Sequence, residues 1–311
     1  MVSKAERRAI EAQPGGLIVV DKAAGMTSHD VVARARRIVG TRRVGHAGTL
    51  DPMATGVLVL GVNRATRLLH HLLLTDKAYT ATMRFGVTTA TDDADGDPVG
   101  DVPAGHLDRA AVAVAFSALT GQIEQVPATV SAVKVDGRRA YDLARAGQTV
   151  TLAARPVTVA RLDLLALRRP SPDLVDVDVA VECTSGTYVR ALARDAGAAL
   201  GVGAHLTALR RTRVGPFDLS RARTLTQLAE QPDPITLPLP DAIALTMPVR
   251  TLSAVEADEL TYGRALDPAG LSGTYGALDP GGRAVALLDE AGGRAQPVLV
   301  FTGRGEGAPR R

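Results

Sequence analysis

The sequence predicts an α+β protein in which a large mixed sheet with flanking helices precedes a smaller β-rich module. Two strand patterns indicate the sheet: short apolar runs, as in LIVV (17–20) and VLVL (57–60), and period-two alternation, as in AYTATMRF (78–85) and LVDVDVAVE (174–182). Helical patterns separate these strands without the regular repeat of a parallel βαβ sheet. Because 311 residues exceed one typical core, a large and a smaller domain are expected.

Three segments combine helical periodicity with recognisable end signals. The first follows Thr27-Ser28 as a cap and ends at Gly40. The second begins after Asp108 and stops at Gly121, and the third is YVRALARDAGAAL (188–200). The residues predicted to face the core are Val31, Ala35, Ile38 and Val39 in the first helix, and Val189, Leu192, Ala196 and Leu200 in the third.

A proline-rich stretch near residue 235 predicts where the large domain ends. EQPDPITLPLPDA (230–242) is typical of an extended linker. Short strand patterns separated by glycine turns follow it, and the tail GRGEGAPRR has a disordered composition. The predicted division is a first domain at 1–228, a linker at 229–242, a β-rich module at 243–303 and a disordered tail at 304–311.

Composition and charge narrow the class of protein. The single cysteine, Cys183, excludes an internal disulfide framework or a multi-cysteine zinc site and fits a reducing cytosol. The charged N-terminus is unlike a secretory signal, and no apolar run approaches the ~20 residues of a membrane span. Residues 224–311 hold 7 Arg, no Lys and 11 acidic residues, so their net charge is −4. Because the whole chain has a net charge of +3, residues 1–223 carry +7. A polyanionic partner would therefore meet the first domain.

One segment combines a polar, glycine-rich loop with a buried strand: VGHAGTLDPMATGVLVLG (44–61). Asp51 precedes Pro52, whose ring fixes φ, so a carboxylate is held rigidly beside the sheet. Alone, this pair is more typical of an ordinary turn. The sequence has no Gly-rich phosphate loop and no His/Cys cluster with ligand spacing, so no metal site is predicted. Asp92 and Asp93 open an acidic loop without the spacing of calcium ligands, and their role stays open.

The string GHAGTLDPMATGVL (45–58) resembles the catalytic motif of the TruB-type family of tRNA pseudouridine-55 synthases. Further segments match in the family's order: DKAAGMTSHDVV (21–32), DKAYTATMRFG (76–86), TDDADG (91–96), PATVSAVKVDGRRAYDLARAG (127–147), CTSGTYVRALARDAG (183–197) and GAHLTALRRTRVGPF (203–217). Ala23 departs from the family's usual proline, which concerns the local loop and not the chemistry.

The resemblance spans about residues 15–220 and implies the pseudouridine synthase fold, with a mixed, mainly antiparallel central sheet. It is looser over the last 80 residues, which resemble a small PUA-like RNA-binding domain.

The same resemblance implies three catalytic residues. Asp51 matches the essential aspartate, Arg190 the arginine that pairs with it, and Tyr79 the tyrosine that stacks on the target base. A guanidinium both orients a carboxylate and keeps it ionised, which suits a group acting on a ribose. Attack at C1′, attack at C6 and removal of a C2′ proton are all compatible with one carboxylate, and the sequence leaves these routes open.

Seven further residues are implied in substrate binding. His46 matches the histidine that enters the RNA loop where the flipped base has left, a role that a flat, hydrogen-bonding ring can fill. The other six match pocket-lining or basic positions: Tyr188, Leu209, Lys22, Lys134, Arg210 and Arg211. A run of arginines before the motif also indicates phosphate contacts: Arg34, Arg36, Arg37, Arg42 and Arg43.

The function implied by the resemblance is isomerisation of uridine-55 in the T-stem loop of tRNA, by base flipping, without cofactor or metal. The expected enzyme is a bacterial, cytoplasmic monomer whose partner is the tRNA T-arm. Three alternatives remain: a non-catalytic tRNA-binding or folding protein, a nucleoside or glycoside hydrolase, and a guide-RNA-directed relative. A hydrolase normally needs two carboxylates at fixed separation, and a pure RNA binder gains nothing from a carboxylate facing phosphates.

Overall fold

A ten-stranded sheet forms the centre of the computed structural model, which describes residues 9–73, 75–128 and 153–302 and the backbone of 134–135 and 138–139. The strands up to residue 238 are β1 (Gly16–Lys22), β2 (Val44–Ala47), β3 (Thr55–Val62), β4 (Lys77–Phe85), β5 (Val87–Thr89), β6 (Pro98–Asp101), β7 (Gly121–Gln125), β8 (Lys134–Val135), β9 (Arg138–Arg139), β10 (Arg155–Ser171), β11 (Leu174–Cys183), β12 (Ala204–Val214), β13 (Phe217–Asp218) and β14 (Leu237–Pro238).

The strand order of the large sheet is β14-β1-β3-β12-β4-β11-β10-β7, with β2 paired to β3 and β13 to β12. Among the described strands of this sheet only β3 and β12 pair in parallel, and the rest are antiparallel. The mixed, mainly antiparallel sheet predicted from the sequence is therefore confirmed. The pairs β5–β6 and β8–β9 form separate two-stranded ribbons.

The described part of the chain has seven helices, of which the sequence predicts three. They are α1 (Ser28–Val39), α2 (Leu69–Leu73), α3 (Arg109–Ala118), α4 (Val189–Ala199), α5 (Leu225–Glu230), α6 (Leu239–Thr246) and α7 (Ala254–Thr261), with a 3₁₀ turn at Asn63–Arg67. Thr27 and Asp30 form a reciprocal capping box on α1, and Gly40 ends it at φ 70°. Asp108 caps α3 by accepting a hydrogen bond from the Ala111 N–H. None of the helices in the described ranges is long and apolar enough to cross a membrane.

Burial of both faces of β1 explains why its residues 17–20 are all apolar. Ile18 and Val20 pack with α1 on one side, whereas Leu17 and Val19 pack on the other side with residues from the C-terminal part of the chain. A third cluster lies between β4, β11 and helices α3 and α4. Cys183 at the end of β11 belongs to it, is 2% exposed, and has its thiol pKa raised to about 11 by burial.

The C-terminal module is a four-stranded sheet in the order β15 (Val249–Thr251), β16 (Tyr275–Leu278), β17 (Ala284–Ala291) and β18 (Arg294–Val300). Its own core forms around Leu260, Tyr275 and Leu288. The small β-rich module predicted at the C-terminus is thus present, and the tail at 304–311 lies outside the described residues.

The proline-rich segment differs from the extended linker predicted for 229–242. Its backbone pairs with β1 through β14, and α6 begins at Leu239 with proline in its first turn. Leu239 and Ile243 are fully buried, in one apolar cluster with Val57 and Leu287. The segment is therefore structured because it carries apolar side chains to the core. The division of the chain at 228 and 243 stays a prediction.

Candidate active site

A cleft of about 250 Å³ opens where the loop after β2, strands β4 and β12, and the turn before α4 meet. The sequence-predicted residues that line it are Asp51, Tyr79, Tyr188, Arg190, Leu209 and Arg211. These residues are up to 160 positions apart in the chain, so the sheet order brings them together. The fold thus gathers six of the ten predicted site residues in one place.

Asp51 and Arg190 form a two-point ion pair in this cleft. Arg190 Nε lies 3.0 Å from Asp51 Oδ2, and Arg190 Nη2 donates to Asp51 Oδ1 at 3.3 Å. The arginine side chain is 5% exposed and the aspartate 32%, so the carboxylate keeps an open side toward the cleft. A turn positions it, in which the Ala54 N–H donates to the Asp51 carbonyl. Arg190 thus holds the Asp51 carboxylate in one orientation and leaves it available to a ligand.

Arg190 also contacts a second carboxylate, which sequence reasoning left without a role. Its Nη1 lies 3.3 Å from Asp93 Oδ2 and donates to the Thr91 carbonyl at 2.8 Å. Asp93 is 4% exposed. The acidic loop therefore faces arginines, and no three His, Cys, Asp or Glu side chains of the described residues group as metal ligands. Asp93 lies almost 100 residues before Arg190, so nothing in the local sequence indicates this contact.

Tyr79 and Leu209 form the wall of the cleft on neighbouring strands. Ala81 is the partner of Leu209 across β4 and β12, so Tyr79 and Leu209 lie on the same face of the sheet. Tyr79 is 7% exposed, and burial raises the pKa of its hydroxyl, against the opposing charge of Arg211. The hydroxyl is therefore protonated at neutral pH, and the ring offers a flat apolar surface.

Tyr188 is the N-cap residue of α4, and a buried glutamine holds its backbone. The Tyr188 N–H donates to Gln125 Oε1 at 2.7 Å, and Gln125 Nε2 donates to the Tyr188 carbonyl at 3.1 Å. Gln125 is 1% exposed. Sequence reasoning missed this residue, because a glutamine at a strand end carries no local signal of such a contact.

Two residues predicted to contact RNA have their donors turned to the protein backbone. Lys22 is 1% exposed, and its Nζ donates to the carbonyls of Ala23, Met26 and Pro52. Arg211 is equally buried and donates to the carbonyls of Gly48, Thr49 and Val57. Both side chains support the loop that carries Asp51, and their place near the RNA or the uracil stays a prediction.

Arg210 is not among the residues that line the cleft. Arg210 points to the other face of the sheet, where both its Nη atoms pair with Asp21 at 2.8–3.0 Å. The backbone of Lys134 lies in β8, but its side chain lies outside the described part of the chain.

His46 lies on β2, opposite Leu60 of β3 and five residues before Asp51. Its ring is half-buried, and the ring of His29 approaches it edge-on at 5.6 Å. Burial is the main cause that lowers the pKa of His46, and the charges of His29 and Arg211 lower it further. The imidazole is consequently neutral at physiological pH.

Lys77 is a further cleft residue that the sequence-based assignment omitted. It lines the cleft, and its Nζ donates to the carbonyls of Thr75 at 2.8 Å and Leu73 at 3.2 Å. Burial lowers the pKa of Lys77 to about 8, with Arg211 adding to the effect. Its position in DKAYT, two residues before Tyr79, is the signal that could have found it.

Protein-family models match three consecutive parts of the chain. They are the TruB family pseudouridylate synthase N-terminal domain over 36–189, the tRNA pseudouridylate synthase B C-terminal domain over 190–233, and the C-terminal domain of tRNA pseudouridine synthase II over 247–302.

Relatives and solved structures are similar over nearly the whole chain. The tRNA pseudouridine synthase B of Nocardia farcinica is 63% identical and covers 94% of each chain. That of Thermobifida fusca is 58% identical, over 93% of this chain and 99% of the relative. The structure of a Cbf5–Nop10–Gar1 complex matches with a TM-score of 0.71 and 27% identity, over 95% of this chain and 88% of that one.

An H/ACA RNP bound to a substrate RNA containing 2′-deoxyuridine matches with a TM-score of 0.69 and 25% identity, over 97% of this chain and 89% of that one. The fold and the family resemblance predicted from the motifs are thereby confirmed. Since relatives of 58–63% identity cover more than nine-tenths of it, the chain belongs to the TruB family of pseudouridine synthases.

Proposed function

We propose that this protein isomerises uridine-55 in the T-stem loop of tRNA to pseudouridine. In this reaction the C1′–N1 bond of the nucleotide breaks, the uracil turns, and a C1′–C5 bond forms. C5 loses its proton and N1 gains one, so atoms and charge balance without a redox partner. The relatives named tRNA pseudouridine synthase B support tRNA as the substrate.

The Asp51–Arg190 pair is the observation that carries the proposal. A carboxylate held by a guanidinium at two points stays oriented, while its open side faces the cleft. Placed against a flipped ribose, it serves as nucleophile at C1′ or C6 or as base at C2′. Arg190 keeps the carboxylate in place during each of these steps.

Tyr79 and Leu209 supply the surfaces for a base that has left its stack. An aromatic ring stacks on a base for roughly 1–3 kcal/mol, and a flipped nucleotide needs such a replacement contact. The Tyr79 hydroxyl is proposed to assist the transfer of the C5 proton. His46, a neutral ring before the Asp51 loop, fills the gap left in the RNA.

The tRNA T-arm is the proposed partner, bound by a single protein chain in the cytoplasm. The +7 charge of residues 1–223 supports phosphate contacts on the sheet-bearing part, where α1 carries exposed Arg34 and Arg37. Lys134 is proposed among these contacts. The C-terminal module is proposed to add RNA surface, with less charge to contribute.

The test is tritium release from an unmodified tRNA transcript labelled at uridine C5. Wild type should release one tritium per tRNA, because C5 loses its hydrogen only when the ring is reattached there. Asp51→Asn should slow release by at least about a thousandfold, since the reacting group is lost, while tRNA affinity stays unchanged. Asp176→Asn, which alters another arginine-paired aspartate, is the matched control and should release tritium normally.

Wild type that binds tRNA tightly without releasing tritium would contradict the enzymatic proposal and favour a tRNA-binding or folding function. Release that persists when uridine-55 is replaced by cytidine would place the reaction at another uridine.

A further inference from the structure

A second arginine of α4 contacts the same acidic loop as Arg190. Arg190 and Arg194 are four residues apart, so they project from one face of the helix. Arg194 Nη1 lies 3.1 Å from Asp92 Oδ2, and the next residue, Asp93, meets Arg190 at 3.3 Å. Two consecutive aspartates are therefore each paired with an arginine from consecutive turns of one helix.

Asp92 has an uncommon backbone conformation. Its φ is 60°, in the left-handed region, which Asp and Asn adopt more readily than other residues with a Cβ but still at a cost. It is 7% exposed, and its carbonyl accepts a hydrogen bond from the Leu206 N–H at 3.0 Å. Burial raises the pKa of Asp92, and the Arg194 guanidinium opposes that shift. Strain of this kind persists where surrounding contacts hold it, and Arg194 supplies one of them.

Arg194 also contacts the end of β7. Its Nη2 donates to the Val126 carbonyl at 2.8 Å, next to Gln125, which holds Tyr188. Its Nε donates to Asp195 on the same helix at 2.9 Å. One guanidinium thus joins the acidic loop, α4 and β7 around the start of the helix that carries Arg190.

We propose that Arg194 is a positioning residue of the isomerisation. By holding Asp92 in its left-handed conformation, it directs the Asp93 carboxylate and the Thr91 carbonyl at Arg190, and Arg190 in turn orients Asp51. The inference rests on the proposed function, because it concerns how the site of that reaction is assembled. A displacement of about 1 Å at a reacting group can cost about a hundredfold in rate. Loss of Arg194 should therefore appear in the rate and not in tRNA affinity.

The experiment measures single-turnover tritium release with excess enzyme, together with tRNA affinity and thermal midpoint. Arg194→Met should slow release by at least about tenfold and leave tRNA affinity within about twofold. Asp92→Asn removes the charge but keeps a side chain that tolerates positive φ, and it should slow release similarly. Because both substitutions break the same Arg194–Asp92 contact, the double variant should be no slower than the slower single variant.

Arg84→Met is the matched control. Arg84 pairs with Asp176 at 2.7 Å, and the exposed fractions of these two side chains, 33% and 11%, are close to the 27% and 10% of Arg194 and Asp92. It should lose thermal stability as Arg194→Met does but keep the wild-type rate. If Arg194→Met does not fold, the release rates of Asp92→Asn and Arg84→Met are compared instead, and they test the same inference.

Three results would overturn the inference: wild-type release by Arg194→Met, equal slowing by Arg84→Met, or losses that multiply in the double variant. Each of these results can be obtained only if the wild-type protein releases tritium. Wild type that releases no tritium would instead reject the proposed function, so the two failures are distinguishable.

Discussion

Arg190 is almost fully buried between two carboxylates, and this arrangement sets the chemistry of the cleft. The guanidinium lies between Asp51 on the cleft side and Asp93 on the loop side. One carboxylate would neutralise the charge but leave buried N–H donors of the guanidinium without acceptors, whereas Asp51, Asp93 and the Thr91 carbonyl together accept from its fork. Asp51 is therefore oriented by the Arg190 guanidinium, which Asp93 in turn holds in place on the opposite side.

Tyr79 combines two properties that substitution can separate. Tyr79→Phe keeps the ring but removes the buried hydroxyl, so tRNA affinity should be unchanged. Tritium release should fall by about 10²–10⁴-fold if the hydroxyl moves the C5 proton. Tyr79→Leu should lose the stacking surface as well and bind the flipped nucleotide less well by roughly 1–3 kcal/mol. Single-turnover release and filter binding measure these effects, and wild-type release by Tyr79→Phe would exclude the hydroxyl.

Lys22 makes the unfolding free energy depend on pH. Burial is the main cause that lowers its pKa from 10.5 to about 8. Between these values the unfolded chain binds a proton that the folded chain has released, so stability rises with pH. Below pH 8 both states are protonated, and the cost of burying the ammonium is fully present.

Relative to Lys22→Met, wild type should therefore gain on the order of 3 kcal/mol between pH 8 and 10.5. Urea unfolding of both proteins across this window measures the difference, in which all other titrating groups cancel. Parallel pH curves would show that the Lys22 ammonium is not the cause.

At the level of elements, the start of α4 depends on strand β7. Gln125 contacts both backbone polar groups of Tyr188, where the chain turns into the helix that carries Arg190. Such a contact fixes the first turn of a helix whose N-terminus would otherwise disfavour a positive side chain.

Gln125→Leu should lower the unfolding free energy by about 2–4 kcal/mol, because a buried N–H and a buried C=O lose their partner. Tritium release should slow as well, since Arg190 lies two residues beyond Tyr188. Gln122→Leu, on the exposed side of the same strand, is the control and should change stability by less than about 0.5 kcal/mol. Equal effects of the two substitutions would contradict the contact seen in the structure.

Sequence patterns predicted the elements whose signals are local. The α1 cap at Thr27, the stop at Gly40 and the alternation of β4 and β11 were found where expected, because each depends on neighbouring residues. Asp51 and Arg190 were paired by resemblance to a family and not by a local signal, and the structure brings their side chains together. The proline-rich segment was misjudged, since proline in the first turn of a helix loses no hydrogen bond.

Long-range contacts account for what the sequence could not predict. The contact of Asp93 with Arg190 and that of Gln125 with Tyr188 join residues 97 and 63 positions apart. The inward donors of Lys22 and Arg211 are equally invisible, because a basic residue in a motif looks alike whether it meets RNA or backbone carbonyls. The order of the strands in the sheet determines which of these contacts such a residue can make.

At the scale of the whole molecule, one apolar cluster joins the large sheet to the C-terminal module. Leu17 and Val59 of the large sheet, Ile243 of α6 and Leu287 of the module belong to it. A Cβ on Gly276 would lie 2.1 Å from Ile243 Cγ2, so α6 packs directly on β16. The two sheets are therefore expected to unfold together.

Ile243→Ala should shift a single calorimetric transition downward, at a cost of about 2–5 kcal/mol for a buried isoleucine. Leu165→Ala, at a position 53% exposed, should leave the transition within about 0.5 kcal/mol of wild type. Two transitions, of which only one moves in Ile243→Ala, would show that the module unfolds independently.

The buried position of Cys183 has a practical consequence for spectroscopy. A thiol that is 2% exposed, with a pKa of about 11, holds almost no thiolate at neutral pH and reacts slowly with maleimides. As this is the only native cysteine, one introduced at an exposed place would be the single labelled site. Val255→Cys, where the valine is 74% exposed, would attach a fluorophore to the C-terminal module and report its distance from a dye on tRNA in an otherwise unaltered protein.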